Sequence, residues 1–319
     1  VPNTVIGEHA LAQLTRNPRK RSVYRYDPYM REGLNRLAAA GLAEDGPLHE
    51  HTFVVLKPDA VAGRRCRLVL DTLAASGWHP VAATVVRFDP LLTRELWRYQ
   101  FNAASEQRIA VVDHLLGSGA SILILLVDLD RPAWLPASTR LAAAKGSAEP
   151  SAAREVDLRT RIGRVNGLFN FIHSADEPAD VVRELQLFSY QAGWSWCLDA
   201  LLAEKAGTED RRRTASKRLA RLLDQLEAET PAHDLDVTAS LRRLARIDGP
   251  WGDCARHWPA PAHVDSWLKV LSTHGMPQGT ARWDVLTTVT SWINCNEPEV
   301  SPLITTAPPQ AWHDEVMSL

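Results

Sequence analysis

From residue 52 to residue 187 the chain alternates short apolar, β-branched runs with segments of helical composition, and that alternation leaves few folds open. Residues 52–56 (Thr-Phe-Val-Val-Leu) read as a strand, 65–75 as a helix ended by Gly77, 80–88 as a strand and 91–99 as a helix. A helix at 105–116, the turn Gly117-Ser118-Gly119, a strand at 121–127, a long connection, a strand at 168–172 and a helix at 178–187 complete the series. The near-continuous apolar run Ile122-Leu123-Ile124-Leu125-Leu126-Val127 fits a central strand covered on both faces. The order is βαββαβ, an α+β arrangement of the ferredoxin-like kind with helices over one sheet face.

A chain of 319 residues has room for about two domains. Its net charge of −2 and pI near 6.6 give no basis for chain-wide affinity to nucleic acid or to an anionic membrane. The cysteines Cys66, Cys197, Cys254 and Cys295 lie far apart without a Cys-x-x-Cys pair, so reduced thiols in a cytoplasmic protein are expected. Cys254, His257 and His263 lack a fourth ligand for zinc and fit no common spacing. No apolar run approaches the roughly 20 residues a membrane helix needs, and no secretory signal opens the chain. The first residue is Val1 rather than Met, which fits a processed or artificially set start.

Two strand ends carry candidate chemistry. The run at 52–56 stops at Lys57-Pro58-Asp59, because proline cannot continue a ladder, and leaves a lysine at the strand edge as a candidate phosphate ligand. The run at 168–172 delivers His173, and the helix after it carries Glu184 in its second turn. An imidazole with one nitrogen oriented by a carboxylate keeps the other free to attack. A lone histidine is more often packed or solvated than nucleophilic, so the case rests on the ensemble.

Taken together, Lys57-Pro58-Asp59, Asn170-x-x-His173 and Glu184, in this order and at nearly the right separations, resemble the nucleoside diphosphate kinase family over about residues 51–190. The resemblance implies a nucleotide-dependent phosphotransferase in which His173 accepts the γ-phosphate of ATP or another nucleoside triphosphate and hands it to a nucleoside diphosphate or an unusual acceptor. It further implies that Glu184 fixes the imidazole, Lys57 neutralises phosphate charge and Asn170 bonds the nucleotide sugar. Asp176 falls near a Mg2+ ion carried by the phosphates, and Tyr99 at the family's active-site tyrosine. Arg140 and Arg161 are the phosphate clamps, with Arg159 a close rival to Arg161; bidentate clamping needs the arginine fork. A homo-oligomer, with a dimer as the working state, follows from the resemblance alone.

The departures are specific. Ala175 stands where the family has a serine, Ala60 where it has glycine, and Ala148, with Ser147 beside it, near its threonine. Residues 103–110 contain no aromatic for the base to stack on, although such stacking is worth about 1–3 kcal/mol. The connection from Gly146 to Asn166 lacks the family's Pro-Gly-Thr. Three readings stay open: phosphate cycling through His173; a different reaction at the phosphate of a bound nucleotide, with His173 as acid or base; and a non-catalytic nucleotide-binding or assembly module.

Outside the resemblance, residues 1–50 read as an extension with helices at 9–14 and 28–42. Between them Arg16, Arg19, Lys20, Arg21 and Arg25 alternate with Tyr24, Tyr26 and Tyr29. That stretch reads as a solvated tether docking its tyrosines on the next domain, or as a strip for single-stranded RNA or phosphate. Residues 191–319 read as an α-helical domain with helices at 194–205, 215–229, 238–247, 263–274 and 282–293. In the fourth of these Val264, Trp267, Leu268 and Leu271 form a stripe at helical spacing. Eight of the eleven tryptophans fall in this region, as core or as the lining of a pocket or interface.

Overall fold

Residues 6–42, 46–202 and 208–316 are described by a computed structural model. Ahead of the sheet run α1 (Glu8–Leu14), α2 (Pro18–Tyr24), α3 (Pro28–Ala39) and α4 (Gly46–Glu50). Asn17 and Asp27 cap α2 and α3 through their side chains, each followed by proline at the first helical position, where its missing N–H costs nothing. The series continues with β1 (His51–Leu56), α5 (Pro58–Ala62), α6 (Cys66–Ala74), β2 (Trp78–Arg87), α7 (Pro90–Leu96), α8 (Glu106–Leu116), β3 (Ala120–Asp128), α9 (Ala137–Lys145), α10 (Leu158–Arg161), β4 (Ile172–Ser174) and α11 (Pro178–Ala192). Then follow α12 (Ser195–Leu201), α13 (Thr208–Glu229), α14 (Val237–Leu244), α15 (Pro250–His257), α16 (Val264–His274), α17 (Gly279–Trp292) and α18 (Gln310–Val316).

The sheet has the antiparallel order β2-β3-β1-β4, which is the ferredoxin-like arrangement. β3 lies inside it and is buried along its whole length, as its unbroken apolar run requires. Side-chain alternation sorts the core. Val54, Leu56, Ile122, Ile124 and Leu126 face α5, α6 and the C-terminal helices, whereas Phe53, Val55, Leu123 and Leu125 face α11, α12 and the N-terminal helices.

The C-terminal stripes do not close on each other alone. Leu219, Leu223 and Leu226 of α13 and Trp251, Trp267, Trp283 and Val289 of α15 to α17 join one continuous apolar cluster with the sheet. The N-terminal helices dock on α11. Gly33 of α3 sits so close that a Cβ there would lie 2.8 Å from Val182 Cγ1. Among the described residues no helix is long and apolar enough to cross a membrane.

Three sequence expectations need correction. Residues 168–171 are a buried irregular turn, and β4 begins only at Ile172, so His173 lies within that strand and not past its end. Helices α2, α4, α5, α9, α10, α15 and α18 were not foreseen; Pro250 opens α15 as a proline-led first turn. The expected helix at 194–205 is observed as α12, while its residues 203–205 lie outside the described residues.

Candidate active site

Pro58 ends β1 and opens α5, so Lys57 becomes the residue between them. Its backbone N–H donates to Phe171 O at 3.0 Å, and the Asp59 carboxylate accepts from Phe171 N at 2.9 Å. These two bonds hold Phe171 at φ 69°, a left-handed conformation that costs a bulky residue on the order of 1–3 kcal/mol. The turn is closed by Asn166, which accepts from Leu168 N and Phe169 N and donates to Thr290 and Ser291 of α17. Asn170 Nδ2 donates to Gly167 O at 2.7 Å. The C-terminal region thus buttresses the segment that delivers the histidine.

His173 pairs with Val55 across the β1–β4 ladder. Its Nε2 lies 2.6 Å from Glu184 Oε2, on the second turn of α11. Burial raises the Glu184 carboxyl above its ordinary range, and the imidazole opposes that rise. Nδ1 makes no hydrogen bond among the described residues. Trp97 meets the imidazole edge-on at 5.0 Å, with Phe53 at 6.1 Å.

His173 lines two adjoining cavities. The smaller, about 100 Å³, is also walled by Lys57, Trp97, Arg108, Arg159 and Asn170. The other, about 230 Å³, shares Trp97, Arg108 and Arg159 and reaches Glu184, Asp176 and Lys20. Burial depresses the Lys57 ammonium below the usual lysine range, partly offset by Asp59 at 3.6 Å. Its Nζ donates to Leu168 O at 2.7 Å. Burial likewise lowers Arg159, to about 10; its guanidinium donates to the Gly146 and Ile172 carbonyls, and its Nε has no partner. Arg108, half-buried at the rim, is lowered by desolvation as well. Such cations gain more from an arriving anion than solvated ones do.

Of the residues singled out from sequence, Lys57, Asn170, His173 and Glu184 come together. Asp176 stands at the rim with Oδ1 3.1 Å from Lys145 and Oδ2 2.6 Å from Thr306. Burial alone would raise its carboxyl, but Lys145, Lys20 and the Thr306 hydroxyl hold it well below the usual range. Three assignments fail on position. The Tyr99 hydroxyl donates to Asp27 at 3.0 Å and its ring packs on Arg183; Trp97, where the chain leaves α7, takes the place beside the imidazole. Arg140 turns to Asp128 and Ser76 O, 2.8 Å from each, and stacks on Trp78. Arg161 is exposed, whereas Arg159 points inward; two positions on one helical turn are separated by roughly 200°.

Sequence reasoning also missed Trp97, Arg108 and Lys145, and read Lys20 only as one member of a basic strip. Arg108 lies in the segment noted for lacking an aromatic.

The family model for nucleoside diphosphate kinase matches residues 50–192. Solved structures similar to this chain include apo nucleoside diphosphate kinase from Encephalitozoon cuniculi, 20% identical over 44% of this chain and 88% of its own, with a TM-score of 0.36. The enzyme from Aquifex aeolicus is 22% identical over 43% of this chain and 93% of its own, TM-score 0.36. That from Halobacterium salinarum, in complex with CDP, is 22% identical over 44% and 87%, TM-score 0.36. No curated protein matches the chain. Residues 50–192 are therefore a nucleoside diphosphate kinase family domain, set within a chain that extends it at both ends.

Proposed function

We propose that this chain is a nucleotide-dependent phosphotransferase that carries a phosphoryl group on His173. Nδ1 attacks the γ-phosphorus of a nucleoside triphosphate, the bond to the β,γ-bridging oxygen breaks, and the nucleoside diphosphate leaves. An oxygen of a second substrate then attacks the phosphorus of the phosphohistidine, and the N–P electron pair returns to Nδ1. Glu184 holds Nε2 so that the ring keeps its orientation through both halves. Lys57, Arg108 and Arg159 receive the charge on the transferred group, which is where most of the acceleration of phosphoryl transfer arises.

The observation that carries this reading is a histidine with one nitrogen held at 2.6 Å by a carboxylate, set beside a cavity walled by three cations. Magnesium fits as an ion carried on the substrate's phosphates, with Asp176 the acid at the rim; among the described residues no cluster of three or more His, Cys, Asp or Glu forms a protein cage. Bound in that way it would neutralise phosphate charge. In this reading the extensions 1–50 and 191–319 brace the domain, and the chain works as a homo-oligomer in the cytoplasm, where its free cysteines stay reduced.

Incubation with γ-labelled ATP tests the proposal. The expected result is protein-bound label that is lost in acid, stable in base and reduced about 10⁴-fold or more in His173→Ala. Label that survives in His173→Ala overturns it.

A further inference from the structure

The chain between α17 and α18 forms almost no regular structure, yet residues 294–306 close one side of the site. Cys295 O accepts from Ser105 N at 3.2 Å, Glu297 N donates to Ala103 O at 2.8 Å and Leu303 N donates to Tyr99 O at 2.9 Å, so the segment is stitched along the residues that lead into α8. Cys295 also packs on the turn that delivers His173: a Cβ added at Gly167 would lie 3.0 Å from its Sγ. Asn296 crosses to the opposite wall, its Oδ1 accepting from Arg108 at 3.1 Å and its Nδ2 donating to Glu149 at 2.7 Å. On this side residues 103–110 offer no aromatic, and the Asn170 amide nitrogen is already held by Gly167 O. A nucleoside finds neither an opening nor a stacking face here.

The open space runs the other way. The two cavities beside His173 share Trp97, Arg108, Ala148 and Arg159 and are parts of one space. Across Lys145, Ala148, Arg159 and Asp176 the larger meets a third cavity of about 430 Å³, between α9 and residues 306–309. That volume falls within the roughly 300–1,000 Å³ of small-molecule pockets, which are mostly apolar with a few placed polar groups. Ala142 and Ala143 line one side and Ala307, Pro308 and Pro309 another, while Lys145 and Arg159 stand where it joins the larger cavity. Two polar atoms in its lining have no partner among the described residues: Thr139 Oγ1, on a residue 1% exposed, and Arg159 Nε, on one 8% exposed. Buried polar atoms are seldom left so unless a water or a ligand meets them.

We propose that this third cavity seats the nucleoside of the substrate, with the phosphates running back past Lys145 and Arg159 to His173. The chemistry matches end to end: alanine and proline walls for the base, the Thr139 hydroxyl for a polar atom of the sugar or base, and buried cations for the phosphate oxygens. One seat serves both halves of the reaction, because the diphosphate that leaves after the first transfer lies where the accepting diphosphate binds. The assignment rests on the phosphotransferase reading for the choice of a nucleotide; the place of the nucleoside is read from binding alone.

Calorimetric titration of the full chain with magnesium ADP and with magnesium pyrophosphate, which has no nucleoside, tests the assignment. ADP is expected to bind at least about tenfold tighter, from the apolar contact the nucleoside adds. Ala142→Phe, on α9, fills the seat and should weaken ADP about tenfold or more while pyrophosphate stays within about twofold of wild type. Thr139→Val removes the hydroxyl and should weaken ADP about threefold, again sparing pyrophosphate. Should Ala142→Phe fail to fold, the ratio of the two affinities in Thr139→Val decides alone. ADP no tighter than pyrophosphate, ADP affinity unmoved by these variants, or equal losses of both ligands overturns the proposal. The covalent label on His173 judges the transfer reading separately: label in the wild type with ADP unmoved by the variants removes the seat and leaves the transfer, and absent label with a loss confined to ADP does the reverse.

Discussion

Lys20 and Arg183, near α11, are as buried as Lys57 and Arg159, near the 166–170 turn, yet the two pairs are neutralised in opposite ways. Lys20 Nζ lies 2.7 Å from both Glu177 and Asp180, and Arg183 Nε lies 2.9 Å from Asp27. Burial would lower both cations, but Asp180 and Glu177 around Lys20, and Tyr24 and Asp27 around Arg183, outweigh it and hold them above their ordinary values. Lys57 has one acid at 3.6 Å, itself raised by burial, and Arg159 bonds only to carbonyl oxygens, so desolvation wins and both are lowered. The difference separates charges that hold the N-terminal extension to α11 from charges left for a ligand. Both sets border His173, through the larger cavity for Lys20 and the smaller for Lys57.

The largest expected effect breaks the first set. Lys20→Met leaves Glu177 and Asp180 buried and facing each other, and removing one partner of a buried pair costs about 3–5 kcal/mol. Urea unfolding at pH 7 should show that loss. A raised lysine contributes in full below its unfolded value of 10.5 and loses the contribution as pH climbs through its folded value. The gap between wild type and Lys20→Met should therefore close only in strong alkali. A loss under 1 kcal/mol would mean the two sets do not differ.

Arg159→Met probes the other set and should invert the pattern. Two bonds to carbonyls disappear, but so does a desolvated guanidinium, so unfolding free energy should stay within about 1 kcal/mol of wild type. Transfer of label to His173 should fall about 10²–10³-fold, as when one charge-stabilising donor is lost from a transition state. A stability loss comparable to that of Lys20→Met would place Arg159 with the structural cations.

Much of this was legible in the chain because it depends on pattern. Ile122 to Val127 could only be a covered strand, and Lys57-Pro58 fixed a strand end by removing a donor. Glu184, eleven residues after His173, needed only a strand and two helical turns to meet the ring. Residues 168–171 misled because an apolar run does not distinguish a strand from a buried turn; Asn166, tied to Thr290 and Ser291, and Asp59, tied to Phe171, decide it through long-range bonds. Arg159 and Arg161 have the same chemistry and differ only in the side of α10 they occupy. Residues 294–306 have no periodicity, so nothing local marks their path over the cavity. Lys20 looked like one member of a solvated basic run, and its partners lie some 160 residues away.

The smallest expected effect concerns Asp176, which meets both sets through Lys20 and Arg159 at the rim of the larger cavity. Its depressed carboxyl contributes stability above the unfolded value of 3.8 and loses it as pH falls through the lower folded value. The side chain is 30% exposed, so solvent screens the gain and Asp176→Asn should cost about 1 kcal/mol at pH 7. As pH falls below 3.8 the gap between the variant and wild type should narrow progressively, giving a flatter acid limb in a plot of unfolding free energy against pH. If the limb keeps its slope, Asp176 is not the group that titrates there.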